Sequence, residues 1–114
     1  MGLGLVSCEP EKPVTRPDRN IVVTLVNQKS DSINVTLNYE ISGYSYYQEF
    51  KTLTLLPGQE YTKKSTLSAK GTAIFSHKFY ITDKLGNKDS VKRIFDLYNG
   101  NYHPKIEDRI IVTD

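Results

Sequence analysis

The stretch that decides the fold is Ile33-Asn34-Val35-Thr36-Leu37-Asn38-Tyr39-Glu40-Ile41, in which apolar and polar residues alternate without a break. Successive side chains of a β-strand point to opposite faces, so this segment has one apolar face and one polar face. A strand of this kind belongs to an antiparallel sheet with one face on a core and the other in water. The pattern therefore predicts an all-β protein in which residues 33–41 form a central strand.

Other segments on either side of this strand are rich in β-branched and aromatic residues and are separated by turn signals. No helical periodicity of useful length interrupts them. Short strands at this spacing are typical of a two-sheet sandwich, so we expect an antiparallel β-sandwich of seven to eight strands. The further predicted strands are residues 20–27, 44–56, 59–67, 73–82, 91–97 and 105–112, with turns that include Pro57-Gly58 and residues 83–89.

Two features predict how these strands pair. Only a short polar turn separates residues 20–27 from residues 33–41, so we expect the two segments to form a hairpin. In the next segment the large apolar residues change from even to odd positions, and a strand of period two cannot change phase without turning side chains to the wrong face. We therefore expect a bulge near Lys51 or Thr52.

The remaining strand patterns predict a core and an edge. The apolar face of residues 33–41 is expected to face the opposite sheet and to pack against Phe75, Phe79 and Ile81. Residues 59–67 are polar and carry Lys63 and Lys64, which suits an edge strand that must not recruit another chain.

Length and composition limit the classes of function. With 114 residues, 38% hydrophobic and 25% charged, the chain is long enough for one packed domain. A net charge of +2, from 15 basic and 13 acidic residues, gives no basic footprint for nucleic acid. A single cysteine excludes an internal disulfide and a cysteine-based zinc site.

The surroundings of that cysteine suggest a lipid anchor. Leu5-Val6-Ser7-Cys8 resembles the lipobox of bacterial lipoproteins, and in that family the chain is cut before the cysteine and the thiol is acylated. The polar, Pro-rich residues that follow resemble the tether of such proteins. Only four residues precede the motif, too few for a complete signal peptide, so we expect a shortened chain or a misplaced start. The expected organisation is a lipobox remnant and tether over residues 1–19 and one domain over residues 20–114.

Two turns carry a resemblance to a fold family. Leu55-Leu56-Pro57-Gly58-Gln59-Glu60-Tyr61 is similar to the Leu-x-Pro-Gly-x-x-Tyr turn of immunoglobulin-like and fibronectin-III-like sandwiches. Phe79-Tyr80-Ile81-Thr82-Asp83-Lys84-Leu85-Gly86-Asn87 is similar to a hairpin of bacterial immunoglobulin-like modules. The resemblance covers about residues 20–97 and implies an immunoglobulin-like sandwich. Asp31-Ser32-Ile33 and Asp89-Ser90-Val91 resemble the O-glycosylation pattern of exported Bacteroidetes proteins.

The sequence offers no convergent catalytic group. His77 lies between Phe75 and Phe79 on an apolar face and is expected to be a structural residue, while His103 lies in a loop before a proline. Oxygen ligands in the 83–89 loop could hold calcium, but we favour a turn whose Asp and Asn bond their own backbone. We expect no enzyme activity, no metal and no cofactor. The alternative is a small enzyme or inhibitor domain acting through the loops at 83–89 or 103–108.

Clustered aromatic residues are the candidate binding groups. Aromatic faces on a sheet can stack sugar rings or anchor a protein partner. Because Tyr46 and Tyr47 are adjacent on a strand, they point to opposite faces and at least one should be exposed. The candidate ligand-binding residues are Tyr44, Tyr46, Tyr47, Tyr98 and Tyr102.

These observations together predict a non-enzymatic lipoprotein of the bacterial cell envelope, in the outer membrane or periplasm. Its partners would be the membrane, through the lipid on Cys8, and a protein or carbohydrate ligand, with no nucleic acid. The domain would bind its ligand or act as a spacer.

Overall fold

The computed structural model of the chain describes residues 17–43, 45–98 and 104–114. Every regular element in this part of the chain is a β-strand, and the strands form two packed sheets. The strands are β1 (Arg19–Asn27), β2 (Ile33–Ser42), β3 (Tyr46–Leu55), β4 (Glu60–Leu67), β5 (Ile74–Asp83), β6 (Lys88–Asp96) and β7 (Lys105–Val112). The predicted fold class, an all-β sandwich of seven to eight strands, is confirmed, with seven strands in the described residues.

The two sheets differ in size and in the direction of one strand. The smaller sheet has the order β4-β1-β7, and the larger has the order β3-β2-β5-β6. All neighbouring strands are antiparallel except β1 and β7, which run parallel with Asn20 opposite Lys105 and Asn27 opposite Val112. β2, the strand on which the prediction rested, lies between β3 and β5 in the larger sheet.

The predicted hairpin between the first two strands is wrong, because β1 and β2 lie in opposite sheets. The connection between them crosses the sandwich and is held by the fully buried side chain of Asn27. Its amide nitrogen donates to the carbonyl oxygens of Asp31 at 3.0 Å and Leu55 at 2.9 Å, and its amide oxygen accepts from the backbone of Lys29 at 2.9 Å. These side-chain hydrogen bonds hold the connection in place of the backbone hydrogen bonds that a hairpin would have formed.

The predicted bulge in β3 is also wrong. β3 pairs with β2 residue by residue, from Leu55 opposite Ile33 to Tyr46 opposite Ser42. The strand stays regular although its apolar residues change from even to odd positions. Leu53 and Leu55 face the core, and Phe50 is exposed on the opposite face. A strand at the edge of a sheet tolerates this arrangement, since it has no second neighbour to pack against.

The core fills the space between the sheets. Phe75, Phe79 and Ile81 are buried as predicted, but they are cross-strand neighbours of β2 in the same sheet, and β1 supplies much of the opposite wall. The predicted edge position of residues 59–67 is confirmed, since β4 ends the smaller sheet. The fully buried hydrophobic residues with the largest side chains are Phe75, Phe79, Ile21, Leu25, Ile33, Leu37, Val23 and Val35.

Two glycines make the turns that the sequence predicts. Gly58, in the turn between β3 and β4, has φ of 84°, and Gly86, in the turn between β5 and β6, has φ of 87°. Both values lie in the left-handed region that glycine adopts without a steric penalty.

Candidate functional site

The larger sheet presents one face to the core and one to solvent. The odd-numbered residues of β2 and β5 are buried or nearly so, whereas the even-numbered residues point away from the smaller sheet. The strand registers place even-numbered residues of all four strands side by side. We call this solvent-facing surface the outer face.

Three aromatic side chains stand exposed on the outer face. Tyr46 is 61% exposed and Phe50 63% exposed, both on β3, and Tyr80 on β5 is 43% exposed. Tyr46 and Phe50 lie four residues apart on one strand, about 13 Å along its axis. Tyr80 is level with Thr52 of β3, two residues along the sheet from Phe50 and six from Tyr46, so the three rings are spread over the face.

Polar side chains between these rings are joined across β2 and β3. Thr54 donates to the amide oxygen of Asn34 at 2.9 Å, and Gln48 donates to that of Asn38 at 3.1 Å. The Tyr46 hydroxyl donates to Glu40 at 2.8 Å, and this hydrogen bond is the main reason that the pKa of Tyr46 is raised. These hydrogen bonds connect the polar groups that lie beside the aromatic rings.

The structure separates the tyrosines that the sequence singled out. Tyr46 lies on the outer face, whereas the ring of Tyr47 lies edge-on to Tyr39 at 6.2 Å between ring centroids and remains 50% exposed. Tyr98 is exposed just after β6, where its backbone nitrogen donates to Asp96 at 3.0 Å. Tyr44 and Tyr102 lie outside the described residues, as do Cys8 and His103.

Phe50 and Tyr80 belong to the candidate site, although neither is among the binding residues predicted from the sequence. Tyr80 is even-numbered in β5, whose odd-numbered residues face the core, so the alternation contained the signal for Tyr80, whereas the change of phase in β3 obscured it for Phe50. Tyr80 also contacts a cation, since the Lys78 ammonium lies 4.9 Å from the centroid of its ring. The site is therefore a property of the sheet face and not of the tyrosine-rich segment alone.

The second notable group lies inside the sandwich and is centred on His77. This residue is fully buried, and neither ring nitrogen has a hydrogen-bond partner among the described residues. Its ring packs edge-to-face against Tyr39 at 5.0 Å and Phe95 at 5.7 Å. Burial, reinforced by the charge of Lys63 and opposed by that of Asp108, lowers the pKa of His77 to about 4. His77 is thus a neutral, structural residue at neutral pH.

Polar pairs surround His77 and join the two sheets. The Tyr39 and Ser65 hydroxyls are 2.5 Å apart across the core, and the Lys63 ammonium lies 4.4 Å from the centroid of the Tyr39 ring. Lys63 also donates to Glu49 at 2.9 Å, which lowers the pKa of that carboxylate. These contacts link β2 and β3 to β4 without forming a site open to a substrate.

On the opposite side of His77, a third pair joins the sheets. Arg93 on β6 donates to Asp108 on β7 at 2.7 Å. Both side chains are partly exposed, so the pair closes the side of the sandwich where β6 and β7 end their sheets.

The 83–89 loop is a self-bonded turn. The Asp83 carboxylate accepts from the backbone nitrogens of Leu85 at 2.9 Å and Asn87 at 2.8 Å, and from the Asn87 side chain at 3.0 Å. The bonds from Asn87 are the main cause of the lowered pKa of Asp83. Asp89 accepts from the backbone of Ser90. No group of three His, Cys, Asp or Glu side chains that could hold a metal ion occurs within the described ranges.

The described part of the second alternative region does not gather catalytic groups. Glu107 and Asp108 are adjacent on β7 and therefore point to opposite faces. Glu107 pairs with Lys105 at 2.8 Å, and Asp108 is held by Arg93. A cleft of about 440 Å³ lies elsewhere, beside the 83–89 turn, and is lined by Lys29, Ile81, Asp83, Asn87, Lys88, Asp89, Val91, Ile111, Val112 and Thr113.

None of the residues that the structure describes belongs to a helix long and apolar enough to cross a membrane. Comparisons with protein-family models, curated proteins and solved structures found no match to this chain.

Proposed function

We propose that this chain is a non-enzymatic binding module of a bacterial cell envelope, which holds a protein or glycan ligand on the outer face of its larger sheet. The observation that carries the proposal is the set of exposed rings of Tyr46, Phe50 and Tyr80 beside fixed amide and hydroxyl groups. Aromatic rings supply contact area, and neighbouring polar groups supply directional hydrogen bonds.

Hydrogen bonds between the polar side chains of the outer face favour binding. Gln48 and Asn38 bond each other, as do Tyr46 and Glu40, so little side-chain freedom remains to be lost when a ligand arrives. Both strands belong to a sheet whose other face is the core, so the backbone beneath the site is rigid. This is the arrangement expected of a contact surface that does not change shape on binding.

The cellular setting belongs to the same proposal. Cys8 and the polar residues after it would anchor the sandwich to a membrane through several acyl chains, which together give stable attachment. We also propose that the sandwich is immunoglobulin-like. The turn that contains Gly58 and the β5–β6 hairpin, the two places that carry the resemblance, are both formed.

Ligand binding is tested first on a glycan array, and the affinity for any glycan that binds is then measured by titration. The variant Tyr46→Ala/Phe50→Ala/Tyr80→Ala should bind more than about tenfold more weakly, since each stacked ring contributes on the order of 1 kcal/mol. The matched control is Tyr47→Ala, an exposed tyrosine that is not on the outer face. If the control loses as much affinity as the triple variant, or if the triple variant binds like wild type, the outer face is not the binding site.

If the wild-type chain binds no glycan, the glycan version of the proposal is wrong. The protein version is then tested by photo-crosslinking from position 80 in the native host, with position 47 as the control. A crosslinked protein that appears at both positions, or at neither, would contradict a ligand on the outer face.

The anchor is tested by mass analysis of the protein expressed in its native host from the complete gene. We expect a mature N-terminus at Cys8 that carries acyl chains, and partition into detergent that Cys8→Ser abolishes. An unmodified Cys8 would refute the lipid anchor and leave the binding surface untouched.

A further inference from the structure

The free edge of β3 differs from the other three sheet edges. Among the described residues β3 pairs only with β2, so its outward backbone groups have no strand beside them. The pairing is regular along the whole strand, which leaves a straight edge with no bulge. Edges of this kind pair readily with another chain unless charges or bulges prevent it.

β3 is also the least charged of the four edge strands. It has two charged residues in ten, Glu49 and Lys51, whereas β4 has three in eight, β6 five in nine and β7 four in eight. Instead of charge, β3 carries the exposed rings of Tyr46, Tyr47 and Phe50. The edge thus has fewer protecting charges than the other three and presents apolar surface where a second strand would lie.

We propose that two copies of this chain associate by antiparallel pairing of their β3 strands, with Phe50 of one copy opposite Phe50 of the other. In this register Glu49 of each copy lies opposite Lys51 of the second copy, which makes two complementary charge pairs about the two-fold axis. Tyr47 lies opposite Leu53, and Gln48 lies opposite Thr52. Aromatic, apolar, polar and charged residues each meet a suitable neighbour.

The charges select this register over its neighbours. A shift that centres the pairing on Glu49 would place two carboxylates opposite each other, and a shift that centres it on Lys51 would place two ammonium groups opposite each other. Like charges directly opposite on neighbouring strands destabilise the pair. Any register that pairs an even-numbered residue with an odd-numbered one would place the outer face of one copy on the core side of the other.

The pairing would build a continuous sheet of eight strands, four from each copy. Because the two-fold axis of an antiparallel strand pair is perpendicular to the sheet, both outer faces would lie on the same side. The Phe50 rings would then be cross-strand neighbours at the centre, with Cβ atoms about 5 Å apart. The inference stands on the edge itself and does not depend on whether the outer face binds a ligand.

The first test is sedimentation equilibrium of the full chain from low-micromolar to millimolar concentration. We expect reversible association from 13.0 kDa to twice that mass. Lys51→Glu would place only glutamates at the paired positions and Glu49→Lys only lysines, so each variant should associate more than about tenfold more weakly than wild type. An equimolar mixture of the two variants restores opposite charges, so heterodimers should form.

Lys64→Glu is the matched control, because it makes the same charge change on the edge strand β4 and should leave association unchanged. Circular dichroism and melting of each variant distinguish loss of pairing from loss of fold. A wild-type chain that remains monomeric throughout, or a mixture of the two charge variants that does not associate, would overturn the proposal.

A second test reads the register directly in a Cys8→Ser background. Phe50→Cys places a thiol opposite its own copy, within the Cα separation that a disulfide requires, so mild oxidation should crosslink the dimer. Thr54→Cys lies opposite Tyr46 in the same register and should not crosslink with itself. Crosslinking of both variants to the same extent, or of Thr54→Cys alone, would refute the register.

Discussion

Acid should weaken this fold through His77, and the size of the effect follows from the surroundings of the ring. The unfolded chain binds a proton at this residue below a pKa of 6.5, whereas the folded protein does so only below about 4. Because the unfolded state holds the extra proton between these values, the free energy of unfolding falls as the pH drops from 6.5 toward 4. The full difference corresponds to about 3 kcal/mol, of which about 2 kcal/mol is lost by pH 5.

The groups that face His77 set the direction of the effect. Burial is the largest cause of its lowered pKa, and Lys63 on β4 adds to it, while Asp108 on β7 acts against it. The Asp108 carboxylate, which would attract an imidazolium, is already paired with Arg93, whereas the Lys63 ammonium would repel one. The interior therefore offers a protonated His77 no hydrogen-bond acceptor among the described residues.

The assay is urea denaturation of wild type and His77→Phe between pH 7.5 and pH 4.5. Phe keeps the edge-to-face contacts with Tyr39 and Phe95 and removes the titrating group. Since neither imidazole nitrogen has a partner among the described residues, no hydrogen bond is lost. Carboxylates titrate in both proteins, so the stability of wild type relative to the variant should fall by about 2 kcal/mol between pH 7.5 and pH 5. A difference that stays constant over this range would refute the reasoning.

Substitutions at three further places in the fold test what stabilises it. Asn27→Ala should lower the free energy of unfolding by about 2 to 4 kcal/mol in urea melts, because it leaves the buried Leu55 carbonyl without its donor. Gly86→Ala should cost about 1 kcal/mol through its positive φ alone, since an added Cβ meets nothing within 4 Å, and Gly86→Asn should cost less. Tyr39→Phe should lower the free energy of unfolding by about 1 kcal/mol, because it leaves the Ser65 hydroxyl without its partner. Ser65→Ala should then be less destabilising in the Tyr39→Phe variant than in wild type, and a double-mutant cycle measures this difference.

The positions of the strands could be predicted because alternation is a local property of the sequence. β2 was expected at residues 33–41 and spans Ile33–Ser42, and His77, expected to be a structural residue on an apolar face, is fully buried. In β2 and β5 the alternation alone shows which side faces the core, without knowledge of the neighbouring strands.

Strand neighbours could not be predicted in the same way. β1 and β2 are separated by a short polar turn that fits a hairpin, but the buried side chain of Asn27 holds a crossing between sheets instead. Likewise the phase change in β3 suggested a bulge, whereas the edge position allows Phe50 to remain exposed. In both cases the outcome depends on contacts between residues far apart in sequence.

The candidate site could be predicted only in part, because it too depends on which strands are neighbours. Tyr46 was identified through the cluster of tyrosines in its own segment, whereas Tyr80 comes to share the outer face with it only through the pairing of β3, β2 and β5. The alternation within β5 shows that Tyr80 points outward, but it does not show which side chains stand beside it.

The parallel pairing of β1 with β7 has a consequence for how the chain acquires its structure. Asn20 lies opposite Lys105, so the contact that completes the smaller sheet joins residues 85 positions apart. Contacts between distant residues are formed slowly, because the intervening chain must be ordered or looped first. On the ribosome β7 is made after the six other strands that the structure describes, so one side of β1 stays open until synthesis has passed residue 112. During that interval the nascent domain exposes a strand edge beside an apolar interior, which makes the arrival of β7 the step at which association with other chains competes with folding.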